Sequence, residues 1–253
     1  MLRIGLSTAA FYGSLETEDA AARIAEIGVL CCEVFLETFS EYTAAFGALV
    51  RERLGGTAAV SVHCKTQHFE SDLIGLSVRQ RADAMEHLTG FLEAAQALGA
   101  GIYVYHGPAQ FRRGAPPDFS RWREGIQAAI DLSASYGVRL CYETVSWTWL
   151  NEPARIKQFL AIWPSLSFVL DVKQVLEMGQ DPVAYVDAIG DRLAHVHILD
   201  FDRDGRHVLP GQGAHDFRDL ARALSYNGYG GAIILEPYGT TAKSVSALVD
   251  SIN

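Results

Sequence analysis

Residues 79–106 read RQRADAMEHLTGFLEAAQALGAGIYVYH, and this stretch sets the architecture. Ala82, Met85, Leu88, Leu92, Ala95 and Leu98 recur at spacings of three and four, the period of a helix with one buried face. Gly99 follows, where a helix commonly ends on a left-handed residue that a Cβ would disfavour. The chain then enters Ile102-Tyr103-Val104-Tyr105, an apolar run without alternation, as in a strand covered on both faces. It finishes in a polar residue, His106.

Working outward, the same unit recurs to both ends. Strand runs are expected at Arg3–Ser7, Val29–Leu36, Ala58–His63, Ile102–His106, Arg139–Tyr142, Ser167–Asp171, Ala194–Leu199 and Ala232–Glu236. Amphipathic helices are expected at Glu16–Ile27, Tyr42–Leu54, Ser77–Leu98, Phe119–Tyr136, Glu152–Ile162, Pro182–Ile189, Phe217–Tyr226 and Thr241–Ile252. Gly28, Gly137 and Gly228 repeat the helix stop of Gly99. Eight units without a linker or low-complexity segment predict an α/β fold, a single (β/α)₈ TIM barrel spanning residues 1–253. A doubly wound open sheet usually has fewer strands in this length, and no Gly-rich dinucleotide turn is present.

The composition bounds the partners. Apolar residues make up 49% and charged residues 20% of the chain, as in ordinary globular protein. The net charge is −9 with no run of Lys or Arg, which argues against nucleic acid as a partner. The chain enters a strand pattern at Arg3, with no secretion leader and no apolar run of the ~18 residues a membrane span needs. A cytoplasmic protein with a small-molecule substrate, no membrane partner and a homodimer as one open state is the expectation. Cys31, Cys32, Cys64 and Cys141 lack zinc-knuckle spacing and read as reduced, half-buried thiols.

In such barrels, chemistry collects where strands end and loops leave the C-terminal face. Six consecutive strands here end in a potential ligand: His63, His106, Glu143, Asp171, His197 and Glu236. Neighbouring strands lie about 4.8 Å apart, so residues at equal height on the last four can converge. Three carboxylates confined among apolar strands must be protonated, paired with cations or bound to metal. Lys173 answers one of them, either as a counter-ion or as a catalytic group. Three carboxylates and a histidine suit a divalent ion better. His195 is expected to alternate to the outer face of its strand, toward the helices. Glu33 reads either as pointing into the barrel or as salt-bridged, and His87 and His215 as helix-surface or cap residues. Trp147 and Trp149, after the fifth strand, read as lid packing or as a stacking wall for a ring.

With these residues in hand, the chain resembles the xylose-isomerase-like TIM barrel superfamily. That group holds sugar-phosphate isomerases and epimerases, ketose 3-epimerases, inosose dehydratases and an AP endonuclease branch. The likeness spans essentially the whole chain. It is carried by Tyr142-Glu143-Thr144, by Leu170-Asp171, and by His195-Val196-His197-Ile198-Leu199-Asp200. The loop from Arg206 to Gly213 and the last strand, Leu235-Glu236, complete it. The resemblance implies Glu143, Asp171, His197 and Glu236 as metal ligands, with Glu143 and Glu236 also the catalytic acid and base. It implies Arg203 as a substrate contact, and likens His63 and His106 to histidines that bind further zinc in the endonuclease branch. Two departures stand out. The superfamily often has Asp-x-x-His after the sixth strand, where this chain reads Asp171-Val172-Lys173-Gln174. The endonuclease branch has Asp-Arg-His where this chain reads Gly205-Arg206-His207. A complete three-zinc endonuclease site is therefore not expected.

The function expected from these residues is a divalent-metal-dependent isomerase or epimerase of a small sugar or related polyhydroxylated carbonyl compound. An enediolate forming beside a dication (Mn²⁺, Mg²⁺, Co²⁺ or Zn²⁺) lowers the cost of removing a carbon-bound proton. Glu143 and Glu236 exchange that proton, and His63, His106, Lys173, Arg203 and His207 hold the substrate. A dehydratase would share the first step. A hydrolase of a small phosphoester is the second class, with His63, His106 and His207 taking a second ion and Arg203, Lys173 or Arg206 the phosphate. The Gly211-Gln212-Gly213 turn reads as a plain tight turn or as phosphate-binding backbone. A barrel that binds metal or sugar without turnover is the third.

Overall fold

The β-rich runs form the strands and the amphipathic stretches the helices around them in the computed structural model, which describes residues 3–65, 69–109 and 119–238. The strands are β1 (Arg3–Ser7), β2 (Cys31–Leu36), β3 (Ala58–Cys64), β4 (Ile102–Tyr105), β5 (Arg139–Glu143), β6 (Ser167–Asp171) and β7 (Leu193–Ile198). A small hairpin, β8 (Asp200–Phe201) and β9 (His207–Val208), precedes the last strand, β10 (Ala232–Leu235). Eight strands close into a parallel barrel in the order β1-β10-β7-β6-β5-β4-β3-β2. The expected closed (β/α)₈ barrel is therefore the fold.

The helices are α1 (Thr17–Ile27), α2 (Ala44–Leu54), α3 (Val78–Leu98), α4 (Phe119–Ser135), α5 (Pro153–Ile162), α6 (Val172–Glu177), α7 (Pro182–Ile189) and α8 (Arg218–Tyr226). Gly28 and Gly99 end α1 and α3 at φ of 83° and 86°, the left-handed backbone a helix stop requires. The buried face of α3 holds Ala84, Leu88, Phe91, Leu92, Ala94, Ala95 and Leu98, whereas Ala82 is exposed, so the stripe begins two residues later than its spacing suggested. Strand β2 begins at Cys31, not Val29. Helix α6, the β8–β9 hairpin and several 3₁₀ turns are additions to the elements read from sequence. The expected helix at Thr241–Ile252 lies outside the described residues. No helix among the described residues is long and apolar enough to cross a membrane.

Period-two alternation divides the strands between two compartments. Tyr103, Tyr105, Leu140, Tyr142, Phe168, Leu170 and Val196 pack outward with the helices in one large core. Inside the ring, Val104, Cys141 and Val169 form one small apolar cluster and Cys31, Ala232 and Ile234 another. The four cysteines are free and fully buried, a step beyond the half-buried state expected of them. The inward residues one or two steps nearer the strand ends are polar, and there the centre lies.

Candidate metal centre

Each ligand candidate is placed by its strand. Glu143 is the last residue of β5 and Asp171 the last of β6, while Glu236 follows β10 directly. Asp171 lies beside His197 in the β6–β7 register, and His197 beside Ile234 in the β7–β10 register. All four side chains are buried. His197 Nδ1 stands 2.8 Å from Glu143 Oε1 and 3.7 Å from Glu236 Oε2. Ligand atoms of Glu143, Asp171 and His197 all lie within 4.8 Å of one another. Donors about 2.1 Å from a shared ion stand about 4 Å apart across it, so the span suits one cation.

The electrostatics favour such an ion. Burial pushes the Asp171 carboxyl up to about 7, aided by the charges of Glu143 and Glu236 and opposed by the Lys173 ammonium. Lys173 Nζ lies 3.8 Å from Asp171 Oδ2 and 3.3 Å from Glu236 Oε2, and even with this ammonium and the imidazoles beside Glu143 the Asp171 carboxyl stays raised. Burial alone would raise the Glu143 carboxyl too. The hydrogen bond from His197 and the charges of His197, His106 and His63 instead hold it down at about 2. Burial disfavours charge on His197, but its flanking carboxylates, Glu33 foremost, raise its pKa well above the ordinary histidine value. A set of oxygen donors with one imidazole and a carboxyl forced toward neutrality fits a divalent cation.

His63 and His106 form the second part of the site. Their Nε2 atoms are 2.9 Å apart, so one must donate. Buried Glu70, from the 3₁₀ turn after β3, decides which. Its Oε2 accepts from the His106 backbone N–H at 3.2 Å and from Nδ1 at 2.9 Å, and its Oε1 accepts from Tyr103 Oη at 2.6 Å. Burial opposes charge on His106, yet the Glu70 carboxylate raises its pKa to about 9. Burial and the charge on His106 lower that of His63. His106 therefore donates to both Glu70 and His63. Its Nε2 is also 3.5 Å from Glu143 Oε2, and His63 Nδ1 is 3.9 Å from Glu236 Oε1.

His195 corrects the expectation that it faces the helices. Residues 195 and 197 are two apart on β7 and share a face, so both point into the barrel. His195 Nε2 lies 3.1 Å from Ser61 Oγ and 3.3 Å from Glu33 Oε2, and Glu33 Oε2 also receives His197 Nε2 at 2.9 Å. Strand parity alone carried that signal. Glu33 had a weak one, a charge inside an apolar strand, and Glu70, in an irregular turn, had none.

Other expected residues lie elsewhere. Arg203 is exposed in the turn between β8 and β9, and His207 pairs with Glu177 at 3.2 Å; among the described residues no hydrogen bond or ion pair joins either to the cluster. His87 stacks on Phe39, with ring centroids 4.0 Å apart, and His215 Nδ1 donates to buried Asp200 at 2.8 Å. In the Gly211-Gln212-Gly213 turn, Gln212 N–H donates to Leu209 O and Gly213 N–H to Asp200 Oδ2, so the plain-turn reading holds for these groups. A Cβ on Gly213 would come 2.3 Å from Asp200 Cγ, so the close packing requires glycine. Gln174, at the position where the resemblance expects histidine, accepts from Ser146 N and Oγ at 3.2 and 2.7 Å. It thereby ties down the loop that sets Trp147 5.3 Å from His106, ring to ring, while the Trp149 ring lies 3.9 Å beneath the Arg155 guanidinium.

Fold and centre together define a (β/α)₈ barrel with a carboxylate–imidazole cluster at the C-terminal ends of its strands. A profile of the family described as xylose isomerase-like TIM barrel matches residues 21–252, and the chain belongs to that family. Among curated proteins it is similar to inosose dehydratase of Lacticaseibacillus casei, 22% identical over 147 residues, 50% of this chain and 49% of that protein. It is also similar to fructoselysine 3-epimerase of Escherichia coli O157:H7, 25% identical over 164 residues, 62% of this chain and 59% of that one. The matches thus span between half and six-tenths of these relatives. Among solved structures, a D-psicose 3-epimerase determined in the presence of D-fructose superposes with a TM-score of 0.77 at 20% identity, covering 96% of this chain and 89% of the other, a likeness of fold.

Proposed function

We propose that this protein is a divalent-metal-dependent isomerase or epimerase of a small sugar or related polyhydroxylated carbonyl compound. One observation carries the reading: Glu143, Asp171, His197 and Glu236, from four neighbouring strands, gather in a buried cluster with Asp171 pushed up to about 7. The relatives named above, an inosose dehydratase and a fructoselysine 3-epimerase, support it. Glu143, Asp171, His197 and Glu236 would hold the ion. When bound, it supplies Lewis-acid stabilisation of negative charge developing on the substrate's carbonyl and neighbouring oxygen.

The protein's own groups do the rest. One of Glu143 and Glu236 takes the carbon-bound proton and the other returns a proton to that carbon or its neighbour. Lys173 Nζ and Tyr238 Oη each donate to Glu236, at 3.3 and 3.1 Å, and orient its two oxygens. His63 Nδ1, 3.9 Å from Glu236 Oε1 and without a hydrogen-bond partner among the described residues, is placed to hold a substrate hydroxyl, and His106 fixes that ring by donating to its Nε2. Arg203 and His207, on the hairpin, are left out of this set.

Metal analysis followed by solvent deuterium exchange into a panel of ketoses tests the reading. One ion per chain and carbon-bound deuterium are expected, with deuterium incorporation sharply reduced in Glu143→Gln. A competing hydrolytic reading rests on His63, His106 and Glu143, whose ligand atoms also lie within 4.8 Å of one another and would take a second ion. Two zinc ions per chain, no exchange and cleavage of small phosphoesters would replace the first reading with this one.

A further inference from the structure

We infer that Glu33 is a positioning residue: it fixes which nitrogen of His197 keeps its proton, and so which nitrogen faces the cation, an inference that rests on reading the centre as a metal site. Glu33 projects inward from β2 and is fully buried. Its partner His197 is on β7, and β1 and β10 stand between these strands in the ring, so the side chain spans the barrel interior to reach it. Two donors converge on Glu33 Oε2, Ser61 Oγ at 2.8 Å and His197 Nε2 at 2.9 Å, and His195 Nε2 lies 3.3 Å from the same oxygen and 3.1 Å from Ser61 Oγ. Ser61 is the register neighbour of Glu33 on β3, and His195 lies one inward position below His197 on β7.

A neutral imidazole carries one ring proton, and a histidine that ligates a metal must keep it on the nitrogen turned away from the ion. An ionised carboxylate only accepts, so Glu33 holds that proton at Nε2. In the ion-free protein Nδ1–H donates to Glu143 Oε1 at 2.8 Å, with Glu236 Oε2 at 3.7 Å; a bound cation would displace that proton, and the Nδ1 lone pair would then face it while Nε2 keeps its own. A carboxylate inside an apolar barrel is costly unless engaged, and Glu33 is engaged through Oε2 alone, since Oε1 has no hydrogen-bond partner among the described residues. Ser61 and His195 flank Oε2 beside the ring. The arrangement is a carboxylate–histidine–cation relay of orientation, in which Glu33 acts through His197.

The test is divalent-ion binding, not turnover. Mn²⁺ is titrated calorimetrically into the full chain, Glu33→Gln and Glu33→Ala, with circular dichroism confirming that each is folded. Glu33→Ala is expected to weaken binding about 10- to 100-fold. Glu33→Gln, whose amide oxygen still accepts from Nε2–H, should lose less. Imidazole ¹⁵N shifts of the Zn²⁺-loaded wild type should show His197 protonated at Nε2, which decides the matter even where Glu33→Ala does not fold. Equal Mn²⁺ affinity in folded variants and wild type, or protonation at Nδ1, would overturn the inference and leave the metal centre standing. A wild type that takes up no divalent ion overturns the metal reading itself, and this inference with it.

Discussion

Asp171 is where the gathering of charge is felt most. Its folded pKa, about 7 against an ordinary 3.8, means that its contribution to stability is present below the ordinary value and is lost as pH rises through about 7. His106, raised from 6.5 to about 9 against the pull of burial, contributes below 6.5 and loses that contribution as pH rises through about 9. Glu143 acts in the other direction, stabilising above its ordinary 4.5 and losing this as pH falls through about 2. Stripped of divalent ions, the protein should therefore become easier to denature in urea from pH 6 to pH 9. Each group contributes at most about 1.4 kcal/mol per pH unit. Adding a divalent ion should flatten the Asp171 part of that slope, and an unchanged slope would count against ion binding at Asp171. A second residue-scale prediction concerns proton transfer: Glu143→Gln and Glu236→Gln should each lower deuterium incorporation by about 10²–10⁴-fold, read by mass spectrometry of the recovered ketose. At this scale the sequence was legible wherever a polar residue closed a strand, as at Glu143 and Asp171. Glu70 and His195 escaped, and Glu33 showed its inward, ion-paired character but not its partners, because these lie 28 to 164 positions away, which no local pattern encodes.

Among the elements, α6 is the instructive addition. It is a six-residue helix begun by the Asp171 side chain, whose Oδ1 accepts from Gln174 N–H at 3.0 Å while Oδ2 faces Lys173. A short helix with no full apolar period is invisible to a periodicity reading, which is why the sequence showed only the ligand and not the cap. The same turn aims Gln174 at Ser146, so Gln174→Ala should free the β5–α5 loop without unfolding the barrel. The expected cost is about 1 kcal/mol, with faster backbone hydrogen exchange confined to residues 144–151. Exchange that is unchanged there would deny Gln174 this anchoring role. Helices α2 and α3 meet at Gly47, where a Cβ would fall 2.2 Å from the Ala94 carbonyl oxygen. Gly47→Ala should force the helices apart at a cost of about 1–3 kcal/mol, measurable as a lower denaturation midpoint.

For the molecule as a whole, the closed barrel was legible because apolar strand runs and amphipathic helical stretches take turns along the chain. The wide core between barrel and helices carries most of the burial, and Phe168, fully buried in it, should cost about 3–5 kcal/mol when replaced by alanine. Loop conformation was not legible, since the Asp200–Asp216 segment is organised around one buried carboxylate, Asp200, and not by any repeat.

The ring is closed by β10, which docks between β1 and β7 and delivers Glu236 at its end. A polypeptide leaving the ribosome thus exposes the first and the last wall of its barrel more than 200 residues apart in time. Until that final wall docks, Lys173 lacks one of its two counter-charges and the cavity stands open to water on one side. The four-residue centre is therefore complete only once β10, the last strand among the described residues, has been synthesised and docked.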